Sequence, residues 1–380
     1  MAERVLIRIR IPTRNPPWAP HHVTILRCSP LRPAFHSQSW WRRPPETLKM
    51  AVTGSSNSKR PTCPSCTRPI LLCLCAKLRY PSFENKVSVT ILQHSLETKH
   101  PINSARIAKI GLKNVDVLTV YDVQFDARFV ISIPGSGLEP VENRGSSDLN
   151  WVVSGRHRKV VEGFDFNGSS SSMSMSIGKG GKFMDCQWMG EKVTSFHEIV
   201  ASPAAEVAMR EGLMVRKFNK RKKLYGSEGN VEEYLEFELK VPAGSVLLYP
   251  SDESVVSVDE LRGGMNNFEV KNLIVLDGTW SKAKKVYKEN PWLKLLPHLK
   301  LDLGKSSLFS DVRRQPKSGC LSTIESIVYA LKAAGEEPEE RLDGLLEVFS
   351  SMVAEQRRFK AEKLGRASSP LSAETSVVDS

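Results

Sequence analysis

Apolar residues recur with two different periods along this chain. In NKVSVTILQH (85–94), Val87, Val89 and Ile91 alternate with polar residues, the period of a β-strand. Behind it, Asn103 or Ser104 is placed to cap a helix that runs through ARIAKIGL to about residue 112. VDVLTVYDVQF (115–125) predicts a second strand. Residues 126–240 show no comparable order. The pattern returns at 246–249, a short apolar strand closed by the loop PSDES. Residues 273–276 are apolar without a break, as suits a central strand buried on both faces. SKAKKVYKEN predicts a short helix stopped by Pro291. Ser322 and Glu325 have the spacing of a capping box. Leu342, Leu345, Leu346, Phe349, Met352 and Val353 then recur at helical spacing, which predicts a last amphipathic helix over about 338–360. Strands alternating with helices imply an α/β fold with a mostly parallel sheet flanked by helices. Ligands of such sheets bind beyond the carboxyl ends of the strands. Three polar clusters fall there: QHSLE, YPSDES and DGTW.

Charge divides the chain further. Residues 1–49 carry eight Arg and one Lys against two Glu, a net of +7, which leaves +5 of the total +12 for the other residues. The overall charge therefore argues little for a nucleic-acid partner, and local clusters must carry that case. The Arg- and Pro-rich leader fits an organelle transit peptide, a disordered extension, or a segment upstream of a start at Met50. In each case residues 1–58 are expected outside the fold, followed by a four-cysteine module at 59–80 and the main domain at 81–360. FNGSSSSMSMSIGKGGKF predicts a flexible Ser/Gly-rich part of an insertion at about 126–240. RKFNKRKKLYG (216–226) is a cationic run, either solvated or facing phosphates. Residues 361–380 are expected to be a disordered tail. No run approaches 18 consecutive apolar residues, so neither a transmembrane helix nor a membrane partner is expected. Oligomeric state is left open.

Cys63-x2-Cys66-x6-Cys73-x-Cys75 supplies four thiolates, the donor set of a closed, structural tetrahedral zinc site. Cys28, Cys186 and Cys320 are scattered, which is no disulfide framework. His94 and His100 are further candidate ligands that such a site does not need. In DGTW, Asp277 ends the buried strand, Gly278 suits a turn, and the next helix carries Lys282, Lys284, Lys285 and Lys288. Backbone N–H groups at a helix start, with lysines nearby, favour an anion. An ordinary amphipathic surface helix has the same composition. Arg313 and Arg314, ahead of the capped helix, suit a two-point grip on a carboxylate or phosphate, or plain solvation.

The four-cysteine cluster, LQHSLETKHPINSAR, LYPSDES, LDGTW with AKK behind it, and RRQPKSGCLSTIES follow one another in this order. The series resembles the DTW-domain proteins, the tRNA-uridine aminocarboxypropyltransferases, whose Asp-x-Thr-Trp motif is matched by Asp277, Thr279 and Trp280. The resemblance covers roughly residues 60–355, interrupted by the insertion. It implies a SPOUT-like fold with a C-terminal trefoil knot, an exception to the unknotted default. It also implies transfer of the 3-amino-3-carboxypropyl group of S-adenosylmethionine to N3 of a uridine in tRNA. Asp277 would take the N3 proton or hold the α-ammonium of the transferred group. Trp280 would stack on a base or pack in the core, and Thr279 would hydrogen-bond either partner. Tyr249, Pro250, Ser251, Leu276, Ser322 and Thr323 would build the cofactor pocket. Lys282, Lys284, Lys285, Arg313, Arg314 and the run at 216–223 would contact RNA phosphates, with the zinc module gripping the RNA. The alternatives are a SPOUT-like RNA methyltransferase and a zinc-containing RNA-binding protein without catalysis.

Overall fold

The structure is a computed structural model of the 380-residue chain. It describes residues 6–10, 61–132, 155–161, 172–188, 191–200, 210–226, 229–250, 256–257, 269–302, 306–310 and 319–367, with the single positions 207, 312 and 315. Among these residues the strands are β1 (Leu6–Arg10), β2 (Ser88–His94), β3 (Val115–Val120), β4 (Asp126–Ser132), β5 (Gly155–Val161), β6 (Ser172–Gly178) and β7 (Lys182–Trp188). They continue with β8 (Glu191–Lys192), β9 (Leu213–Gly226), β10 (Gly229–Val241), β11 (Ser245–Leu248), β12 (Val256–Ser257), β13 (Asn272–Asp277) and β14 (His298–Asp302). The helices are α1 (Ala105–Gly111), α2 (Phe196–Val200), α3 (Trp280–Lys288), α4 (Thr323–Ala333) and α5 (Glu339–Ala367).

The first sheet has the order β12-β1-β14-β11-β13-β2-β3. Its five strands from β14 to β3 are parallel, as the alternation of strands and helices requires. All six residues of β13 are buried, because β11 and β2 flank it and both faces are covered. Its register is pinned by a polar clip at the strand start. Asn272 Nδ2 donates to Ser245 Oγ at 3.0 Å, while its Oδ1 accepts from Ser88 Oγ at 3.0 Å and Thr90 Oγ1 at 3.1 Å. A one-residue slip would break all three bonds and turn every apolar side chain to the wrong face.

Alternate residues of the strands feed two cores. Ile91, Leu273 and Val275 pack with Ile107 of α1, Ile327 of α4 and Phe349 of α5. Leu92, Ile274 and Leu276 pack with Val286 of α3 and with Ile131, Ile177 and Val215 of the second sheet. The predicted capping box is present in full: Ser322 Oγ accepts from Glu325 N at 3.3 Å, and Ser322 N donates to Glu325 Oε2 at 2.8 Å. The last helix runs on to Ala367. No helix of the described residues is long and apolar enough to cross a membrane.

Three expectations need correction. Residues 6–10, placed outside the fold, form β1 between β12 and β14, antiparallel to both. The alternation in RVLIRIRI is that of a strand, and the edge of β14 accepts it. The insertion, expected to be flexible, holds a second sheet of order β5-β10-β9-β4-β6-β7-β8, antiparallel throughout. Within SMSMSIG, Met173, Met175 and Ile177 are buried and the serines between them are not, so a Ser-rich stretch still has a strand's two-residue period. The cationic run at 216–226 lies in β9, and only part of it can face phosphates. Lys217 and Lys220 are buried, and Arg216 Nη2 pairs with Glu236 Oε1 at 2.8 Å.

Candidate functional site

The parallel strands end at one rim. β2 closes on Gln93 and His94, β13 on Asp277, and β11 on Leu248, just before Tyr249. Asp277 sits opposite Gln93 in the register and is 4% exposed. Its Oδ2 accepts from Gln93 Nε2 at 2.9 Å and from Asn103 Nδ2 at 2.8 Å. Its Oδ1 accepts from Thr323 Oγ1 at 2.6 Å. A carboxylate has about four acceptor positions. Three are filled here, by donors from β2, from the loop ahead of α1 and from the first residue of α4. The QH, NSAR, DGTW and LSTIES segments therefore meet on a single carboxylate. Beside it, Asn103 Oδ1 is buried without a hydrogen-bond partner, while Asn103 Nδ2 also reaches the Glu97 carbonyl at 3.2 Å.

Gly278 lets α3 start close against the end of β2. A Cβ there would meet Lys282 Cβ at 3.1 Å and His94 Cβ at 3.5 Å. Thr279 caps the helix: its hydroxyl accepts from Lys282 N at 3.4 Å and bonds Ser281 Oγ at 3.0 Å. Trp280, the first helical residue, is half-buried. The lysines of α3 divide into two groups. Lys282 Nζ pairs with Glu97 Oε1 at 2.9 Å and Lys285 Nζ with Asp122 Oδ2 at 2.8 Å, whereas Lys284 and Lys288 are exposed.

Asp122 takes a second partner, His94 Nε2, at 2.8 Å from Oδ1. His94 Nδ1 accepts the Leu96 N–H at 3.2 Å, so the ring proton sits on Nε2 and is donated to Asp122. Burial pushes the Asp122 carboxyl up, but the Lys285 and His94 hydrogen bonds outweigh it and hold it below the ordinary carboxylate value. Deeper in, Lys217 Nζ donates to the Glu289 carbonyl and to Asn290 Oδ1, each at 3.1 Å, tying β9 to the end of α3. Burial lowers its ammonium to about 8, against the pull of Glu289 and Asp122.

An aromatic group stands beside β11. Tyr249 stacks on Tyr287 with ring centroids 4.1 Å apart and planes 11° from parallel, and His298 meets both rings edge-on. The Tyr287 hydroxyl lies 3.0 Å from His298 Nε2, and His298 Nδ1 donates to the Leu296 carbonyl at 2.8 Å. Nε2 is then the acceptor of the tyrosine proton. Burial pushes the Tyr249 hydroxyl up. Leu276 is buried behind Asp277, and Pro250 is exposed. Ser322 Oγ is engaged in its cap. Ser251, Arg313 and Arg314 lie outside the described residues. The sequence reading assigned no role to Gln93, Asp122, Tyr287 or His298, Asn103 only that of a candidate helix cap, and His94 only that of an unneeded metal ligand. Gln93 and Asn103 nevertheless stood inside the LQHSLETKHPINSAR segment that carried the resemblance.

The four cysteines converge as their spacing predicted. Their sulfurs all lie within 4.8 Å of one another, with Cys63–Cys75 and Cys66–Cys73 each at 3.8 Å. Zn–S bonds of about 2.3 Å in a tetrahedron separate sulfurs by about 3.8 Å, so the set fits a closed zinc site. Neither His94 nor His100 belongs to the cluster. A tight turn returns the chain between the first two ligands and the rest: Thr67 N donates to the Cys63 carbonyl at 2.9 Å and Cys63 N to the Arg68 carbonyl at 2.7 Å. Backbone N–H groups of Cys66 and Ser65 lower the Cys63 thiol to about 6, while burial raises Cys75 to about 12. A bound dication would hold all four as thiolates. The module docks on α5, where Glu355 accepts from Arg68 Nη2 at 3.4 Å and also binds Lys77. Cys66 and Leu74 are buried in the same core as Phe349.

Parts of the sequence have counterparts among known proteins. Residues 196–357 match the DTW domain. The chain is similar to tRNA-uridine aminocarboxypropyltransferase 2 of Drosophila melanogaster, with 38% identity over 100 residues, 26% of this chain and 37% of that protein. It is likewise similar to the mouse (Mus musculus) protein of the same name, with 32% identity over 89 residues, 23% of this chain and 29% of that protein. The matches thus span well under half the length of these curated relatives. No solved structure gives a significant match. The DGTW strand end, the helix behind it and the LSTIES segment that reaches Asp277 through Thr323 accordingly lie within the stretch that matches the DTW domain, and Gln93 and Asn103 reach the same carboxylate from outside that stretch.

Proposed function

We propose that the protein transfers the 3-amino-3-carboxypropyl group of S-adenosylmethionine to N3 of a uridine in tRNA. The observation that carries this reading is the gathering of four separate segments on the Asp277 carboxylate, at the carboxyl ends of the parallel strands where such sheets hold their ligands. The names of the similar proteins supply the substrate class. In the transfer, uridine N3 loses its proton and bonds the carbon next to the sulfonium, whose bond to sulfur breaks, releasing methylthioadenosine.

Of the two roles open to Asp277, holding the α-ammonium fits the geometry better than taking the N3 proton. Asp277 keeps one acceptor position, and the adjacent Asn103 Oδ1 is a second, unpartnered acceptor. An ammonium brings three donors. Fixing it would select which carbon on the sulfonium faces the nucleophile, and positioning of that kind accounts for a large share of a displacement rate. The Tyr249–Tyr287 stack would form a wall of the cofactor pocket, with Leu276 behind it and Pro250 at the rim. Trp280, half-buried at the start of α3, would stack on a base. Thr279 and Ser322 serve by capping the two helices whose starts frame the site. Lys284 would meet phosphates, together with Arg313 and Arg314. Lys282 and Lys285, each held by an acid, shape the rim. The same reading includes a SPOUT-like arrangement of the parallel sheet with its C-terminal knot, and a structural zinc ion on Cys63, Cys66, Cys73 and Cys75.

Incubation of the purified protein with unmodified tRNA tests the reading. S-adenosylmethionine is labelled in the methyl group in one reaction and in the aminocarboxypropyl chain in another. Nucleoside mass spectrometry should find only the second label, on uridine. Methyl label on the tRNA would replace the reading with a methyltransferase, and no label with a binding protein.

A further inference from the structure

Besides Lys217 and the shared core, the second sheet touches α3 through the tip of one hairpin. β6 and β7 are joined by the turn Lys179–Gly181, and this turn rests on the last residue of α3. Gly181 has φ +76°, and a Cβ on it would lie 2.3 Å from the Lys288 carbonyl oxygen. Glycine alone permits so close a backbone approach at that φ. The contact sets Lys179 and Lys182, both exposed, beside the end of the helix that carries exposed Lys284 and Lys288. Among the described residues no ion pair neutralises these four ammonium groups, whereas Lys282 and Lys285 of the same helix are committed to Glu97 and Asp122. Phe183, 37% exposed, is the second residue of β7, just past the turn. Gathering four unpaired cations at one contact costs energy through mutual repulsion, which a polyanion relieves. An exposed ring beside them is the usual companion of a nucleic-acid surface.

We propose that this ridge, formed by the hairpin turn of the second sheet and the outer face of α3, binds the phosphate backbone of the tRNA, with Phe183 against an unpaired base. The inference rests on the tRNA reading above but not on which group is transferred.

Binding of unmodified tRNA to the full chain, followed by fluorescence anisotropy over a salt series, tests it. Each phosphate contact contributes roughly 0.7–0.9 to the slope of log affinity against log salt. The double variant Lys179→Ala/Lys182→Ala should flatten that slope by about 1.5 and bind at least tenfold more weakly at low salt. Gly181→Val keeps every charge but forces the turn off Lys288, and it should weaken binding as well. Circular dichroism and melting temperature verify that each variant is folded. Unchanged affinity and slope in the folded double variant would overturn the ridge. Wild-type protein that fails to bind tRNA would overturn both the ridge and the tRNA reading. Binding without aminocarboxypropyl transfer would leave the ridge standing and remove only the transferase.

Discussion

Thr323 Oγ1 donates a 2.6 Å hydrogen bond to Asp277 Oδ1, joining the first residue of α4 to the end of the central strand across 46 residues of sequence. With Gln93 and Asn103 it makes Asp277 an acceptor fixed from three sides. Asp277→Asn would turn one acceptor into a donor that faces donors. Transfer should fall by about 10²-fold, the scale of a lost positioning contact, and stability by about 1–3 kcal/mol, the cost of unsatisfied buried groups. Thr323→Val, which removes one donor, should cost about 1 kcal/mol. Single-turnover transfer and urea unfolding measure both effects. Wild-type turnover in the asparagine variant would remove Asp277 from the chemistry.

The cysteine module should carry one zinc ion per chain, measurable by elemental analysis. Cys73→Ala should lose the metal and lower the melting temperature, because a buried part of the α5 core loses its staple. A strong chelator should reproduce the shift in the wild type and add nothing in the variant. A metal-free protein with an unshifted transition would refute the assignment.

Lys217 predicts a dependence on alkaline pH. Its ammonium falls from the ordinary 10.5 to about 8 in the fold. Between those values the unfolded chain binds more protons than the folded one, so stability rises with pH across that window. The gain is at most about 3 kcal/mol. In Lys217→Met the rise should be smaller, and the Glu289 carbonyl and Asn290 side chain lose their donor, which lowers stability at neutral pH. Urea midpoints of both proteins from neutral to alkaline pH give the comparison. Parallel curves would show that Lys217 does not titrate differently in the fold.

Asp122 predicts the opposite limb. Its carboxyl is held below the ordinary value, so the stability it contributes is present above about pH 4 and is lost as pH falls through the lower folded value. Asp122→Asn should be less stable at neutral pH and lose less on acidification. Thermal melts in acid compare the two, and an equal acid loss would refute the Lys285–Asp122–His94 chain as its source.

What could be read from the sequence was local. The unbroken apolar run at 273–276 and the Ser322–Glu325 cap appear where the pattern placed them, while the alternation at 87–91 marked a strand that starts only at Ser88 and is buried on both faces. Asp277 stood out because a fully buried strand ended on a carboxylate. Its partners did not, since Asn103 and Gln93 are 174 and 184 residues away. The second sheet escaped for a related reason. In β9 the charges at 217 and 220 look like surface, and Lys217 is buried only because Glu289 and Asn290, 72 and 73 residues on, satisfy its ammonium. Met173, Met175 and Ile177 held the two-residue period that the surrounding serines disguised.

Glu355 has a bearing on how the chain is made. It receives Arg68 and Lys77 from 287 and 278 residues earlier, so the cysteine module emerges from the ribosome long before the helix that it docks against exists. During most of synthesis that module has no partner surface. An ion captured early would keep its four thiols closed to oxidation and its docking face shaped until α5 arrives, and metal supply during translation would then bear on yield.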